Sequence, residues 1–217
     1  MSDGTRMRAE DRRELVLAEA TRIFGSYGYV GATTHQVAEA AGVSQPYIVK
    51  MFGTKENLFL EVLGRALDCL MTAFRAEVAD ETSTQPLGAR LGLAYVNLVS
   101  QTGMLLSLMH GFVLGADPCI GPVARAGFMT VYRFLREEGG FSPEESHAFL
   151  ADGMLMNTMI GLRMTDDYGT DASVDELLTT TFPNKLELIR SKADPAPSGG
   201  ATSPAAGAPA DGTPDTA

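Results

Sequence analysis

Apolar positions recur three and four residues apart along most of this chain, the spacing of helices that each bury one face. Val16, Ala20, Ile23, Phe24 and Tyr27 form the first such stripe and predict a helix over about residues 8–27. Gly25 and Gly28 mark its end, and Gly28-Tyr29 turns the chain. Val37, Ala38 and Ala41 then predict a short second helix from about Thr34 to Ala41. Thr33 is placed to cap it, with Gln36 where the partner of a capping box belongs. Gly42 suits the positive φ that closes a helix. Ser44 is placed to cap a third helix, with Gln45 and Pro46 in its first turn, where a missing amide costs nothing. Ile48 and Phe52 share one side of that helix; Tyr47, Lys50 and Met51 face largely another. Two helices of about two turns, joined by a short glycine turn, describe a helix-turn-helix. Helices this short are unstable alone, so flanking helices must cover their apolar faces.

The pattern continues. Thr54 is placed to cap a fourth helix that reaches about Asp80 with Leu58, Val62, Leu63, Leu67, Leu70, Met71 and Phe74 at helical spacing. At about 1.5 Å per residue it is long enough to run from a small head into a larger body. Residues 81–86 read as a linker. Further helices follow over about Leu87–Gln101, Met104–Leu114, Asp117–Glu138 and Pro143–Met164. Val123, Phe128, Val131, Tyr132 and Leu135 form the inner side of the seventh. Ser142-Pro143-Glu144-Glu145 is a strong start for the eighth. A ninth is expected over about Val174–Ile189, opened by a Ser173–Glu176 capping box and bent or broken near its middle by Pro183. The expected architecture is all-α with about nine helices: a DNA-binding head over residues 1–54, a helical body over 55–192, and a tail over 193–217. That tail is rich in Pro, Ala, Gly, Ser and Thr, and is expected to be disordered.

The first quarter of the chain resembles the TetR/AcrR family of one-component transcriptional regulators. The resemblance is carried by Val16-Leu17, Ala20, Ile23-Phe24, Gly28-Tyr29, Thr33-Thr34, Val37-Ala38, Ala41-Gly42-Val43-Ser44, Ile48, Phe52 and Lys55-Glu56-Asn57-Leu58. It covers about residues 10–60. It implies a homodimer whose two recognition helices read half-sites of a palindromic operator in the major groove. One departure stands out: Val49 occupies the place where the family usually has a Tyr that contacts a phosphate. The resemblance also implies an inducer pocket in the body and a dimer bundle made by the last two helices.

Charge sharpens the division. The chain of 217 residues has a formal net charge of −10. Residues 1–55 carry seven basic and six acidic residues; the remainder carries ten basic and twenty-one acidic. A weakly basic head on an acidic body gains appreciable DNA affinity only when two heads bind together, each neutralised phosphate adding a counterion-release contribution. Arg6, Arg8, Arg12 and Arg13 cluster at the start, as a phosphate-tracking arm or as the solvated opening of the first helix. Two cysteines, Cys69 and Cys119, suit a reducing cytoplasm and give no disulfide framework. Neither an apolar leader nor a membrane span is expected. No zinc-spaced cluster or catalytic motif is present, so no metal, cofactor or enzymatic activity is expected.

For DNA contact the candidates are Thr33, Thr34, Ser44, Gln45, Pro46, Tyr47, Lys50 and Lys55. Gln45, Tyr47 and Lys50 are the base-edge readers, since Gln pairs with adenine and Lys with guanine O6/N7. Thr33, Thr34, Ser44 and Lys55 are phosphate contacts, Lys55 through the anion site at the start of the fourth helix. For ligand contact the candidates are Tyr95, Met104, Leu108, Met109, His110, Phe112, Phe128, Tyr132, Met154 and Asn157, on the inner faces of the body helices. Eleven methionines, gathered mostly in this half, suggest an adaptable apolar cavity. The functional expectation is a ligand-released repressor. The alternative is a small-molecule binding protein of the same fold that has lost specific DNA recognition.

Overall fold

The computed structural model describes residues 8–99, 103–182 and 186–187. Arg6, Gln101, Pro183 and the 193–217 tail lie outside them. Among the described residues all regular structure is helical: α1 (Ala9–Gly31), α2 (Thr34–Ala40), α3 (Gln45–Phe52), α4 (Lys55–Ala79), α5 (Leu87–Val99), α6 (Met104–Val113), α7 (Ile120–Glu137), α8 (Pro143–Gly161) and α9 (Ala172–Thr181). A short 3-10 turn, Met164–Asp167, joins the last two. No helix among the described residues is long and apolar enough to cross a membrane.

α1 to α3 and the first turns of α4 close on one core. Val16, Ala20 and Phe24 meet Val37, Ile48, Leu58, Phe59 and Val62, each at most 1 % exposed. The cluster continues without a break into Leu63 and Ile120. Phe24 and Phe59 meet edge to face with centroids 4.9 Å apart, a favoured aromatic geometry. The capping box on α2 forms: Thr33 Oγ1 accepts from the Gln36 amide at 3.2 Å, and Gln36 Oε1 accepts from the Thr33 amide at 2.8 Å. Thr54 caps α4 by accepting from the Asn57 amide at 3.0 Å.

Three local expectations are corrected. The turn expected at Gly28-Tyr29 is present, but helical residues continue beyond it and Tyr27 is not part of the buried stripe. Gly28 leaves the helical region at φ 69, ψ 172, and the helix resumes to Gly31. That kink hands the apolar stripe to Tyr29, whose ring lies 5.0 Å from Phe59, and turns Tyr27 out to 56 % exposure. Ser44 occupies the N-cap of α3 but its side chain makes no capping bond. α9 is capped by Asp171, which accepts from the amides of Ser173 and Val174, so the helix opens two residues earlier than a Ser173 cap would give. It ends at Thr181, before Pro183, since the residue preceding a proline disfavours helix.

α4 serves two cores. Its N-terminal turns belong to the head. Further on, Leu70, Met71 and Phe74 pack with Leu91, Phe134 and Leu135 from α5 and α7. A third cluster joins Val96 of α5 to Met156, Met159, Leu178 and Phe182. Head and body also meet along α1 and α6, where small residues allow backbones to touch. A Cβ on Gly25 would stand 2.6 Å from the Gly103 carbonyl oxygen, and one on Gly103 would stand 2.5 Å from the Thr21 carbonyl oxygen. Gly103 also has φ 83, a left-handed conformation natural to glycine. Buried Ser107 donates to the same Thr21 carbonyl at 3.1 Å.

Candidate DNA-binding face and ligand cavity

Gly42, at φ 63, sets α3 against α2 and leaves one face of α3 outward. Ile48 and Phe52 anchor the helix in the core, 1 % and 5 % exposed. Gln45, Pro46, Val49 and Lys50 are exposed and Tyr47 is half-buried. Lys50 makes no ion pair among the described residues, so its ammonium is available to an acceptor outside the fold. Arg12 of α1 stands over the Tyr47 ring at 5.8 Å and adds a second cation beside this face. Gln45 Nε2 donates to Thr34 Oγ1 at 3.1 Å, which ties the start of α3 to the start of α2. Thr33 is spent on its capping box. Ser44, with no cap bond to make, keeps a free exposed hydroxyl.

Lys55 has a different role from the one expected of a phosphate contact. Its Nζ donates to the carbonyls of Tyr29 at 2.8 Å and Ala32 at 3.1 Å, and it lies 4.6 Å over the Tyr29 ring. Two of its three donors therefore bind the end of α1 to the start of α4. The kink at Gly28 causes this, because it brings Tyr29 and the last carbonyls of α1 over the α4 N-terminus. Arg13 is likewise taken up, by Glu61 and the Phe52 ring.

The body encloses a cavity of about 240 Å³. α4 contributes Leu63, Leu67, Leu70 and Phe74; α6 contributes Leu108 and Phe112; α7 contributes Val123, Phe128 and Val131. Tyr95 enters from α5, and Phe149, Met154, Met156 and Asn157 from α8. Among the described lining residues, Asp152 is the one carboxylate and there is no Lys, Arg or His. The Tyr95 hydroxyl donates to Asn157 Oδ1 at 2.5 Å. Burial pushes the Tyr95 phenol well above its ordinary pKa, a rise only partly offset by the Asn157 bond, so it stays a neutral donor.

Six of the ten expected ligand contacts line this space: Tyr95, Leu108, Phe112, Phe128, Met154 and Asn157. Four do not, for reasons of helical geometry. Met109 and His110 follow Leu108 by one and two residues, about 100° and 200° round α6. His110 accordingly faces the head: a Cβ on Gly28 would stand 3.0 Å from its Cε1. Met104 lies one turn before Leu108 and lines, with Ala66, Leu70 and Leu105, a separate void of only about 10 Å³. Tyr132 lies about 100° round α7 from Val131 and one turn beyond Phe128. Among the described methionines, Met154 and Met156 line the cavity and the others lie elsewhere.

The α4 leucines and Phe74 were not anticipated as lining. A signal for the site was present in the glycines. Gly64, Gly88, Gly92, Gly127 and Gly153 all sit inside helices, where glycine weakens the element, and all five border the cavity. No atom lies within 4 Å of a Cβ placed on Gly64 or Gly153.

One group of possible metal ligands gathers at the junction of head and body. Ligand atoms of Glu56, Asp117 and Cys119 lie within 4.8 Å of one another. Asp117 Oδ1 is already bonded to the amides of Cys119 and Ile120, both at 2.9 Å. The Glu56 carboxylate, by hydrogen bond and by charge, raises the Cys119 thiol pKa. The sequence spacing did not reveal this group because Glu56 comes from a distant helix.

The comparisons with known proteins agree with this geometry. Residues 16–62 match the family model described as bacterial regulatory proteins, tetR family. The chain is 33 % identical over 82 residues to the transcriptional activator FasR of Mycolicibacterium smegmatis, covering 38 % of this chain and 37 % of that protein. It is 48 % identical over 48 residues to the transcriptional repressor AcnR of Corynebacterium glutamicum, covering 22 % and 26 %. These matches span little more than a third and about a quarter of the two relatives' lengths. The whole fold resembles that of a TetR-like transcriptional regulator from Rhodococcus sp. RHA1, with TM-score 0.57 at 16 % identity over 87 % of this chain and 96 % of that one. An all-α chain with an N-terminal helix-turn-helix and a hollow helical body is the class of protein these observations define. Over residues 16–62 the chain matches the tetR family of bacterial regulatory proteins, and its helical fold is similar to that of a TetR-like regulator.

Proposed function

We propose that this protein is a homodimeric, DNA-binding transcriptional repressor that a small apolar ligand releases from a palindromic operator. Residues 1–54 act as the reading head, and residues 55–192 as the ligand-binding and dimerisation body. The observation that carries this reading is the double use of α6. One face, Leu108 and Phe112, lines the cavity; another, Gly103, Ser107 and His110, lies directly against α1 of the head. A ligand that displaces α6 cannot leave α1 in place, because the Gly25–Gly103 contact has no slack. α4 supplies a parallel link, since Leu63 belongs to both the head core and the cavity wall. The ligand needs only a differential affinity of a few kcal/mol for the two arrangements. Dimerisation is supported by Leu155 on α8, Leu162 at its C-cap and Leu177 on α9, which are 43 %, 69 % and 38 % exposed in the single chain.

On the head, Gln45, Tyr47 and Lys50 read base edges and Ser44 holds a phosphate. The test is selection of bound sequences from a random DNA pool at near-physiological salt, followed by titration of the enriched site. A palindrome is expected, and Lys50→Ala is expected to weaken it by about 1–3 kcal/mol while the dimer persists. No enrichment by a folded dimer would instead support a ligand-binding protein without operator recognition. A reporter placed behind the selected site fixes the sign of regulation.

A further inference from the structure

The cavity holds one polar device, and its parts are unequally satisfied. Asn157 is 5 % exposed, and its Oδ1 takes the Tyr95 proton. Because the phenol is a donor, the amide is oriented with its oxygen towards Tyr95 and its nitrogen elsewhere. That nitrogen has two N–H bonds to give. Its one partner among the described residues is Met154 Sδ at 3.9 Å, a thioether and a weak acceptor. A buried donor left this way costs free energy until an acceptor reaches it. The surrounding wall is mostly leucine, phenylalanine, valine and glycine, and apart from Thr181 and Asp152 its described residues offer no further acceptor side chain. Where Asp152 contributes to the lining it is exposed, so the cavity reaches solvent beside a negative charge.

We propose that the cavity selects a neutral, mainly apolar molecule with one carbonyl-type acceptor, bound by Asn157 Nδ2, and that it discriminates against carboxylates and phosphates. The proposal rests on the reading of this cavity as the ligand site and adds the chemical class of the ligand. Tyr95 is a positioning residue here: it fixes which end of the amide faces the ligand. An anionic headgroup would meet no cation among the described lining residues and the Asp152 carboxylate at the rim, and a buried unpaired charge is heavily penalised. A pure hydrocarbon would fill the space but leave the amide unpaired. The volume, about 240 Å³, exceeds the roughly 150 Å³ of an apolar cavity known to take benzene, so a benzene ring with a short chain is a fitting probe.

The experiment is calorimetric titration of the full-length protein, without DNA, using butyrophenone, butylbenzene and phenylbutyrate. The ketone is expected to bind about 5-fold or more tightly than the hydrocarbon, the factor one net hydrogen bond supplies. The carboxylate is expected to bind more weakly than both. Asn157→Leu should abolish the preference for ketone while retaining butylbenzene, which also reports that the cavity is intact. Tyr95→Phe should narrow the preference without abolishing it, and carries the same test should Asn157→Leu fail to fold. Equal binding of ketone and hydrocarbon, a carboxylate that binds best, or no binding of any probe would overturn the proposal. Because no DNA is present, loss of operator recognition leaves this result untouched. Conversely, operator binding by a protein that rejects the ketone would overturn the ligand class alone.

Discussion

Head and body use the same residue types and pack them in opposite ways. In the head, side chains from α1, α2, α3 and α4 meet with Val16, Phe24, Val37, Leu58, Phe59 and Val62 at 0 % exposure. In the body, helices of similar composition stand around a cavity of about 240 Å³. The difference lies largely in glycine. The head's seam with α6 uses Gly25 and Gly103 to bring backbones together, so each missing side chain is filled by another chain segment. The cavity wall uses Gly64 and Gly153 to leave space that nothing fills. A reader must hold a helix in fixed register to present side chains to a groove. Under the proposed function, the body must keep an unfilled volume whose occupation changes the packing around it. The two demands meet in α4 and α6, each of which touches both kinds of interior.

The sharpest way to break this contrast is to hollow the head. Phe59→Ala removes a fully buried ring that packs on Phe24 and Tyr29, and is expected to cost about 3–5 kcal/mol in chemical denaturation. A much smaller loss would mean that the head is as yielding as the body.

Lys55→Met tests the tie between α1 and α4. It leaves the Tyr29 and Ala32 carbonyls without their charged donor and is expected to cost about 1.5–3 kcal/mol. Operator affinity is expected to fall as the head loosens, with little change in its salt dependence. A salt slope reduced by about one unit would instead give Lys55 a phosphate contact.

Two glycine substitutions then sharpen the comparison by carrying opposite signs. Gly25→Ala drives a methyl into the Gly103 backbone and is expected to destabilise by about 1–3 kcal/mol. Gly153→Ala meets open space and removes backbone entropy from the unfolded chain, so it is expected to stabilise by about 0.4–1 kcal/mol. Thermal melts of the two variants, run side by side, measure both signs.

The smallest effect is electrostatic. Glu138 is held below its ordinary carboxylate pKa chiefly by its hydrogen bonds to Arg75, at 2.9 and 3.0 Å. A depressed folded pKa contributes stability that is present above the unfolded value of 4.5 and lost as pH falls through the folded value. Melting points should therefore fall slightly less on acidification below pH ~4.5 in Arg75→Ala than in the parent. The pair is exposed, so the difference should also shrink at high salt.

Much of the head was legible because its signals are local. Thr33 and Gln36 lie three residues apart and form their box whatever surrounds them. Gly42 needs its positive φ within the turn itself. The helical period placed Ile48 and Phe52 inward and left Gln45 and Lys50 outward. In the body, period alone placed Leu108, Phe112, Phe128 and Asn157 on inward faces. It gave no rotation fine enough to separate Leu108 from His110, and no height to separate Phe128 from Tyr132.

What the sequence by itself determined, then, was most of the helices and the caps of α2, α4 and α8. These depend on contacts within a turn or two, where chain connectivity brings the partners together. The tertiary structure alone decided which faces meet. It turned His110 to the Gly28 kink, gave Lys55 to the carbonyls of α1, brought Glu56 beside Cys119, and paired Tyr95 with Asn157 across sixty-two residues. Such pairings depend on how helices rotate and slide against one another, and that is set by the packing of the whole interior, which no single helix encodes.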